Sequence, residues 1–375
     1  MKRLVLLGGG HAHVHVLSAL AEPLDSGLSV TLVSPVAVQV YSGMLPGYVA
    51  GHYELHECGI DLGPLAARAR ARVVSSAGVL VDPVRREVTC ANGETVPYDV
   101  LSIDIGSVPF LGDAVGVDRH ATAVRPLEHF VIAWESVLGR AMRGEIRSVT
   151  VVGGGAAGLE IAFAMEHRFR TRCGEAAPHV RVLADTPVVL AEYGEGPRER
   201  ITRLARRRNI GLHPSSRVAE VGAGFVRLRD NIAFQSDATF WVAGAGANPI
   251  FRDSGLATDE RGFLLVDDGL QSVSHPEIFG AGDCATSRDN PRPKAGVFAV
   301  RAGPALAANL RAALAGLPLK PHVTRRRFLA LLACGDKRAL GIYGPLVFSG
   351  RWVWHWKDRI DRRFLARYRL EPPEG

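Results

Sequence analysis

No apolar run in this 375-residue chain approaches the roughly 18 residues that a bilayer-crossing helix needs, so a helix-spanning membrane protein is excluded. Cysteine is scarce and scattered. Cys58, Cys90, Cys173, Cys284 and Cys334 form no Cys-x-x-Cys or Cys-x4-Cys pair. That spacing encodes neither a zinc knuckle nor a vicinal redox disulfide, and reduced thiols are expected. Histidine does not supply a metal site either, so none is expected. His11, His13 and His15 alternate and would point to different faces once a helix begins, and His52, His56 and Cys58 match no zinc spacing. The clusters Arg206-Arg207-Arg208 and Arg325-Arg326-Arg327 come without any nucleic-acid module. They read as solvated faces, and no nucleic-acid partner is expected. The start, Met1-Lys2-Arg3 followed by Leu4 to Leu7, imitates a signal peptide, but glycines and three histidines interrupt it before an apolar core could form. A cytoplasmic protein is expected.

What is present is the mix of a globular chain, 47% hydrophobic and 22% charged, long enough for two or three domains. Its most informative feature is a pair of glycine-rich turns about 145 residues apart, each between an apolar strand and an apolar helix pattern. The first is Leu4-Val5-Leu6-Leu7 followed by Gly8-Gly9-Gly10 and a helix running by Val14. The second is Val149-Thr150-Val151-Val152 followed by Gly153, Gly155 and Gly158, leading into Leu159-Glu160-Ile161-Ala162. Such a turn lets the backbone approach a pyrophosphate, whose charge the N–H groups and dipole of the following helix stabilise. Two turns imply two dinucleotides. The simplest chemistry for that pair is hydride transfer between a nicotinamide and a flavin.

The rest of the chain organises around these turns as an α/β protein with two Rossmann-like, three-layer dinucleotide-binding domains, the first discontinuous, plus a small C-terminal unit. The first domain is expected over residues 1–124 and 237–315, the second over 125–236 and the last unit over 316–375. Phe240-Trp241-Val242-Ala243-Gly244 and Ile278-Phe279-Gly280-Ala281-Gly282-Asp283 both read as buried strands ending in glycine after the chain has returned to the first domain. The Asp283 carboxylate suits a ribityl hydroxyl or a pyrophosphate contact. Pro293-Lys294-Ala295-Gly296 then opens a helix from Val297 to Ala315 whose positive end faces what precedes it. From Arg351 to Leu370, seven Lys and Arg face only two Asp, with Trp352, Trp354, Trp356, Phe364 and Tyr368 interleaved. Basic plus aromatic is the composition of an interfacial membrane segment, and equally of a tail folded over the first domain.

Gly8-Gly9-Gly10-His11-Ala12-His13, Tyr41-Ser42-Gly43-Met44-Leu45-Pro46-Gly47, Gly280-Ala281-Gly282-Asp283 and the run from Pro293 to Arg301 together resemble the two-dinucleotide-binding-domain flavoproteins, the pyridine nucleotide-disulfide oxidoreductase superfamily. Within it, the chain most resembles the flavoprotein portion fused to selenide, water dikinase, with type II NADH dehydrogenases and sulfide:quinone reductases as broader relatives. The resemblance implies FAD and NAD(P)H as cofactors, and hydride transfer from nicotinamide to flavin N5. Electrons then pass to a small-molecule acceptor, for which a quinone is one candidate, at a cytoplasmic site that is either free or peripheral on the inner face of the cell membrane. It implies that Gly8, Gly10 and His11 border the FAD pyrophosphate, that Asp283 holds the ribityl chain, and that Lys294 and the Ala295 helix start lie near the flavin N1 and O2 edge. Pro46 would lie against the isoalloxazine. Ser34, Ser42, Val79, Gly106 and Gly282 are carried over as further FAD contacts; Gly153, Gly155, Gly158 and Gly244 go to the nicotinamide half. Glu160 is expected near the nicotinamide, positioning its carboxamide or relaying a proton, and with Lys294 it makes the catalytic pair.

Three departures matter. His13 stands where a third glycine is usual, which implies looser helix-to-sheet packing. Ser34 and Ala184 replace the acidic residue at the ends of the second strands, with Asp185 one place late, so NADH and NADPH both remain open. Val297 and Arg301 stand where type II NADH dehydrogenases carry quinone-facing glutamines. Two alternatives stay open: a flavoprotein oxidising a reduced sulfur or selenium compound, with Cys334 as its candidate thiol, and a non-enzymatic flavin-binding redox module. Oligomeric state is not legible.

Overall fold

The computed structural model describes residues 2–21, 27–322 and 328–369. Arg325-Arg326-Arg327 and Leu370, singled out above, lie outside the described residues.

Leu4 to Leu7 and Leu101 to Ile103 are fully apolar or buried runs, the pattern of strands covered on both faces. They build a parallel five-stranded sheet in the order Ile278–Gly280, Val100–Ile103, Lys2–Leu7, Leu28–Val33, Arg72–Val74. Helices His11–Leu20 and Gly296–Ala315 pack together on one side of it, and Ala12, Val16, Leu306 and Leu310 fill the layer. On the other side a three-stranded antiparallel sheet (Gly78–Asp82, Glu87–Cys90, Thr95–Pro97) buries Val81, Val88 and Tyr98. Asp61 caps the short helix Leu62–Arg68, its carboxylate accepting from the Gly63 N–H at 2.9 Å.

A second parallel five-stranded sheet has the order Ala121–Ala123, Ala238–Trp241, Ser148–Val152, His179–Leu183, Gly211–His213. Helices Leu127–Met142 and Ala156–Cys173 cover one face through Phe130, Trp134, Phe163 and Phe169. The α/β class with two Rossmann-like units is as expected from the sequence.

Two boundaries differ from that expectation. Ala121–Ala123 already belongs to the second sheet, and Ala238–Trp241 lies inside it, between that edge and Ser148–Val152, rather than in the first unit. The physical reason is pairing: the two apolar runs ending in glycine look alike locally, yet only Ile278–Gly280 finds Val100–Ile103 as a neighbour. The return therefore follows Trp241.

The C-terminal unit is an antiparallel three-stranded sheet (Ala330–Ala333, Ala339–Tyr343, Leu346–Gly350) followed by the helix Arg351–Ala366. One face of that helix is core: Val353, Trp354, Phe364 and Leu365 are buried against the first unit. The opposite face carries Trp352, Trp356 and Ile360, which are 57%, 41% and 42% exposed. The tail is thus both an integral packing element and an exposed aromatic surface. Among the described residues no helix is long and apolar enough to cross a membrane.

Candidate functional site

Each glycine turn leaves its strand and bends sharply because the backbone has no room for a side chain. Gly8 has a φ of +96°, and a Cβ there would stand 2.4 Å from the Asp104 carbonyl oxygen. In the second turn Gly153 has a φ of +132°, and a Cβ on Gly158 would meet the Gly153 carbonyl oxygen. His13 occupies the place equivalent to Gly158. Its ring fills the layer between helix and sheet, with Nδ1 2.6 Å from the Gly8 carbonyl and Nε2 2.8 Å from the Ser102 hydroxyl. Burial lowers its pKa to about 4, so a neutral imidazole replaces the close contact that a glycine would give.

Both helix N-termini already face a carboxylate, which the sequence reading did not find. At the first, the Asp104 carboxylate accepts from the Ala12 N–H at 2.8 Å and the His13 N–H at 3.2 Å. Its backbone carbonyl accepts from the Gly10 N–H. A Cβ on Gly10 or on Gly282 would stand 2.3 Å or 2.4 Å from Asp104 side-chain atoms, so two glycines from separate strand ends close around one acid. Burial raises the Asp104 pKa to about 7 against the opposing effect of its two N–H donors, and Asp283 adds to the rise. At the second, the exposed Glu192 carboxylate accepts from the Ala156 N–H at 3.1 Å. Glu192 rides on a strap over the turn, fastened by Leu190 N–H to the Gly154 carbonyl and by the Arg198 guanidinium to the Leu190 and Ala191 carbonyls. A lone acid inside the apolar run Leu101 to Ile105 was the available signal for Asp104. Glu192 had none.

The remaining sequence candidates fall into three groups. Around the first turn lie Gly8, Gly10, His11, Gly282 and Asp283. Asp283 is buried and pairs with Arg125 at 2.7 Å, and His11 has a buried Nε2 without a hydrogen-bond partner. Ser34 is buried and turns its hydroxyl onto the Val36 carbonyl at 3.0 Å. Val79 is half-exposed on the hairpin sheet, and Gly106 has a φ of +68° with open space beside it. Ser42 stands by the start of the helix Gly296–Ala315, its hydroxyl 3.1 Å from where a Gly296 Cβ would lie, and Ala295 is that helix's N-cap. Pro46 is buried within a one-turn helix, Leu45–Val49.

A cleft between the two units is lined by Arg125, Trp241, Gly244, Arg261 and Lys294, with Ala157 beside the second turn. Lys294 donates to the Ala285 carbonyl at 2.5 Å and sits 3.9 Å above the Phe263 ring centre. Its pKa is lowered, burial outweighing nearby Cys284 and Asp283.

Glu160 belongs to another cluster. Its carboxylate accepts from the Ala333 N–H of the C-terminal sheet at 2.7 Å, and burial raises its pKa to about 7 despite the nearby Lys357 ammonium. Lys357 donates to the Gly43 carbonyl at 2.6 Å and to Asp361 at 2.7 Å, and the Tyr41 hydroxyl also engages Asp361. The Tyr41 ring lies tilted against those of His11 and Phe364, with centroids at 5.4 Å and 4.6 Å. The five cysteines are free; the thiols of Cys58, Cys284 and Cys334 are all pushed up to about 12 by burial. Among the described residues no group of His, Cys, Asp and Glu has metal-binding geometry.

Comparison with known proteins matches residues 2–306 to the family described as pyridine nucleotide-disulphide oxidoreductase. The chain is 29% identical over 301 residues to the NADH dehydrogenase-like protein Rv1812c of Mycobacterium tuberculosis, covering 77% of this chain and 74% of that one. It is 23% identical over 321 residues to the external alternative NAD(P)H-ubiquinone oxidoreductase B4, mitochondrial, of Arabidopsis thaliana, covering 76% of this chain and 54% of that protein. Its fold superposes on the sulfide:quinone oxidoreductase of Aquifex aeolicus with a TM-score of 0.83 at 18% identity, covering 98% and 92% of the two chains.

Proposed function

Because the chain belongs to the pyridine nucleotide-disulphide oxidoreductase family, we propose that it is an FAD-dependent NAD(P)H dehydrogenase whose second substrate is a quinone. The observation that carries this reading is the pair of glycine turns, each at the carboxyl end of a parallel strand and each opening a helix, with Ala157 of the second turn lining a cleft that also holds Arg125, the partner of Asp283 beside the first. The unpartnered His11 Nε2 beside a turn kept free of side chains at Gly8 and Gly10 suits a pyrophosphate there. FAD bound there supplies a two-electron acceptor for hydride and a donor to the next substrate.

The chain's own residues divide the remaining work. Gly8, Gly10, His11, Asp283 and Gly282 hold the flavin dinucleotide, with Ser34, Ser42, Pro46, Val79, Gly106 and Ala295 along it. Gly153, Gly155, Gly158 and Gly244 receive the nicotinamide dinucleotide once Glu192 yields the Ala156 N–H. Lys294 and the start of the helix Gly296–Ala315 bring positive potential to the flavin side of the cleft, favouring an anionic ring. Glu160, whose raised pKa keeps it near half protonation at neutral pH, holds or releases a proton beside Lys357. The first unit and the stretch from 242 to 315 form the FAD domain, and the strands between form the NAD(P) domain.

The quinone assignment follows the named substrate of the plant relative. The exposed face of Arg351–Ala366 is consistent with it. Phe348, Trp352 and Trp356 stack with centroids 5.3 to 6.3 Å apart, and Arg351, Arg359 and Arg363 lie on the same helix. Such a face suits docking on an anionic bilayer, where an apolar acceptor would partition. Thiol-based oxidation of sulfur or selenium compounds, suggested by the narrower likeness to the flavoprotein portion of selenide, water dikinase fusions, would require a reactive thiolate, and burial opposes one at Cys334.

Anaerobic titration of the flavin-loaded protein tests the assignment. NADH or NADPH should bleach the flavin absorbance and a short-chain quinone should restore it. Bleaching by sulfide alone, or no bleaching by either nucleotide, overturns it.

A further inference from the structure

We propose that Asp104 makes flavin-dinucleotide binding a proton-coupled event: the chain takes up one proton onto this carboxyl when the pyrophosphate arrives. The inference rests on the FAD reading above and adds to it. A helix N-terminus of this kind ordinarily presents free N–H groups to the phosphate. Here two of those groups, on Ala12 and His13, are already spent on the Asp104 carboxylate. Gly10 and Gly282 press against the same carboxyl, so it has no room to swing aside. A dianionic pyrophosphate placed at this turn therefore meets a resident negative charge in a water-poor pocket, and like charges in such a setting do not both stay ionised.

Among the described residues, the cations and imidazoles beside it are already committed or neutral. Arg125 is engaged by Asp283 and the Ser107 hydroxyl, and Lys294 by the Ala285 carbonyl and the Phe263 ring. His13 is neutral and committed to Gly8 and Ser102, His11 is neutral with its pKa lowered to about 4, and Cys284 is a neutral thiol. Asp283 adds a further negative charge on the same side. The remaining route is protonation from solvent. Burial already holds the Asp104 pKa at about 7 with no phosphate beside it. A neutral carboxyl still accepts an N–H bond through its C=O, so the helix start stays capped.

The test is calorimetry of FAD binding to flavin-stripped protein in paired buffers of different ionisation heat. Uptake of about one proton is expected near pH 8, falling toward zero near pH 6, with the FAD Kd weakening by up to about tenfold per pH unit above about 7. In Asp104→Asn, which keeps one acceptor oxygen and carries no charge, uptake near pH 8 should vanish and the Kd should lose that pH dependence. Tight FAD binding with no proton uptake near pH 8 overturns the inference on the unmodified protein alone, whether or not the variant folds. Uptake confined below about pH 6 and abolished in His11→Asn assigns the proton to His11 and also overturns it. Absence of any FAD binding overturns the flavin assignment instead, and the inference with it.

Discussion

Replacing Glu160 by glutamine isolates the cost of a buried charge at the contact between the second glycine helix and the C-terminal sheet. The carboxyl's pKa rises from 4.5 to about 7, a difference equivalent to roughly 3 kcal/mol. Below about pH 4.5 the group is protonated in folded and unfolded chains alike, and it contributes nothing to the balance. As pH rises from there toward 7 the unfolded chain gives up its proton first, so stability falls; above about 7 the deficit is complete. Glutamine keeps the oxygen that accepts from Ala333 and never ionises. The attraction of Lys357 is already contained in that value, and the variant gains about 1–3 kcal/mol at high pH. At about 2–4 °C per kcal/mol for a domain of this size, Glu160→Gln should melt about 2–12 °C above the unmodified protein near pH 8.5 and level with it near pH 4. Thermal unfolding of the flavin-loaded proteins across that pH range reads both numbers. A gap that does not change with pH, or a variant that melts lower near pH 8.5, would refute the reasoning.

Gly10→Ala would put a methyl group 2.3 Å from the Asp104 side chain at the turn the pyrophosphate must approach, so the backbone there has to shift and the purified variant should carry little flavin. A normal flavin-to-protein absorbance ratio would contradict this. Glu192→Gln weakens the resident competitor at the second turn, and NADH should bind about three- to tenfold more tightly by fluorescence titration; unchanged or weaker binding removes Glu192 from that role. Trp352→Ser with Trp356→Ser should leave Tm nearly unchanged, since both rings are largely exposed, while salt-sensitive binding to liposomes containing anionic lipid drops several-fold. Equal liposome binding by both proteins would count against membrane docking.

Much of the fold could be read locally. A glycine turn, the strand before it and the helix after it occupy some twenty neighbouring residues, and their chemistry is visible in sequence. The assignment of strands to sheets could not be read that way. Phe240 and Phe279 sit in equally apolar runs ending in glycine, and only long-range pairing separates them. Asp104 was hidden for the same reason, because it acts on residues more than ninety positions away. The tail's basic and aromatic composition supported both a docked and a buried reading. Helical phase settles the buried half: Val353, Trp354, Phe364 and Leu365 pack into the core, while Trp352, Trp356 and Ile360, recurring every four residues, stay exposed.

The C-terminal unit touches both dinucleotide units at once. Tyr53 meets Asp358 and Lys357 meets Gly43 on one side; Glu160 meets Ala333, and Arg208 reaches both Glu166 and the Cys334 carbonyl, on the other. Tyr48 adds a direct tie to Glu135 at 2.6 Å. A body bolted at three places does not open like a clam, because swinging one unit from the other would break part-buried hydrogen bonds on both sides of the strut. Nucleotide traffic through the cleft must then be handled by small parts moving within a fixed frame, and the strap bearing Glu192, held at Ala156 by an exposed hydrogen bond, is one such part.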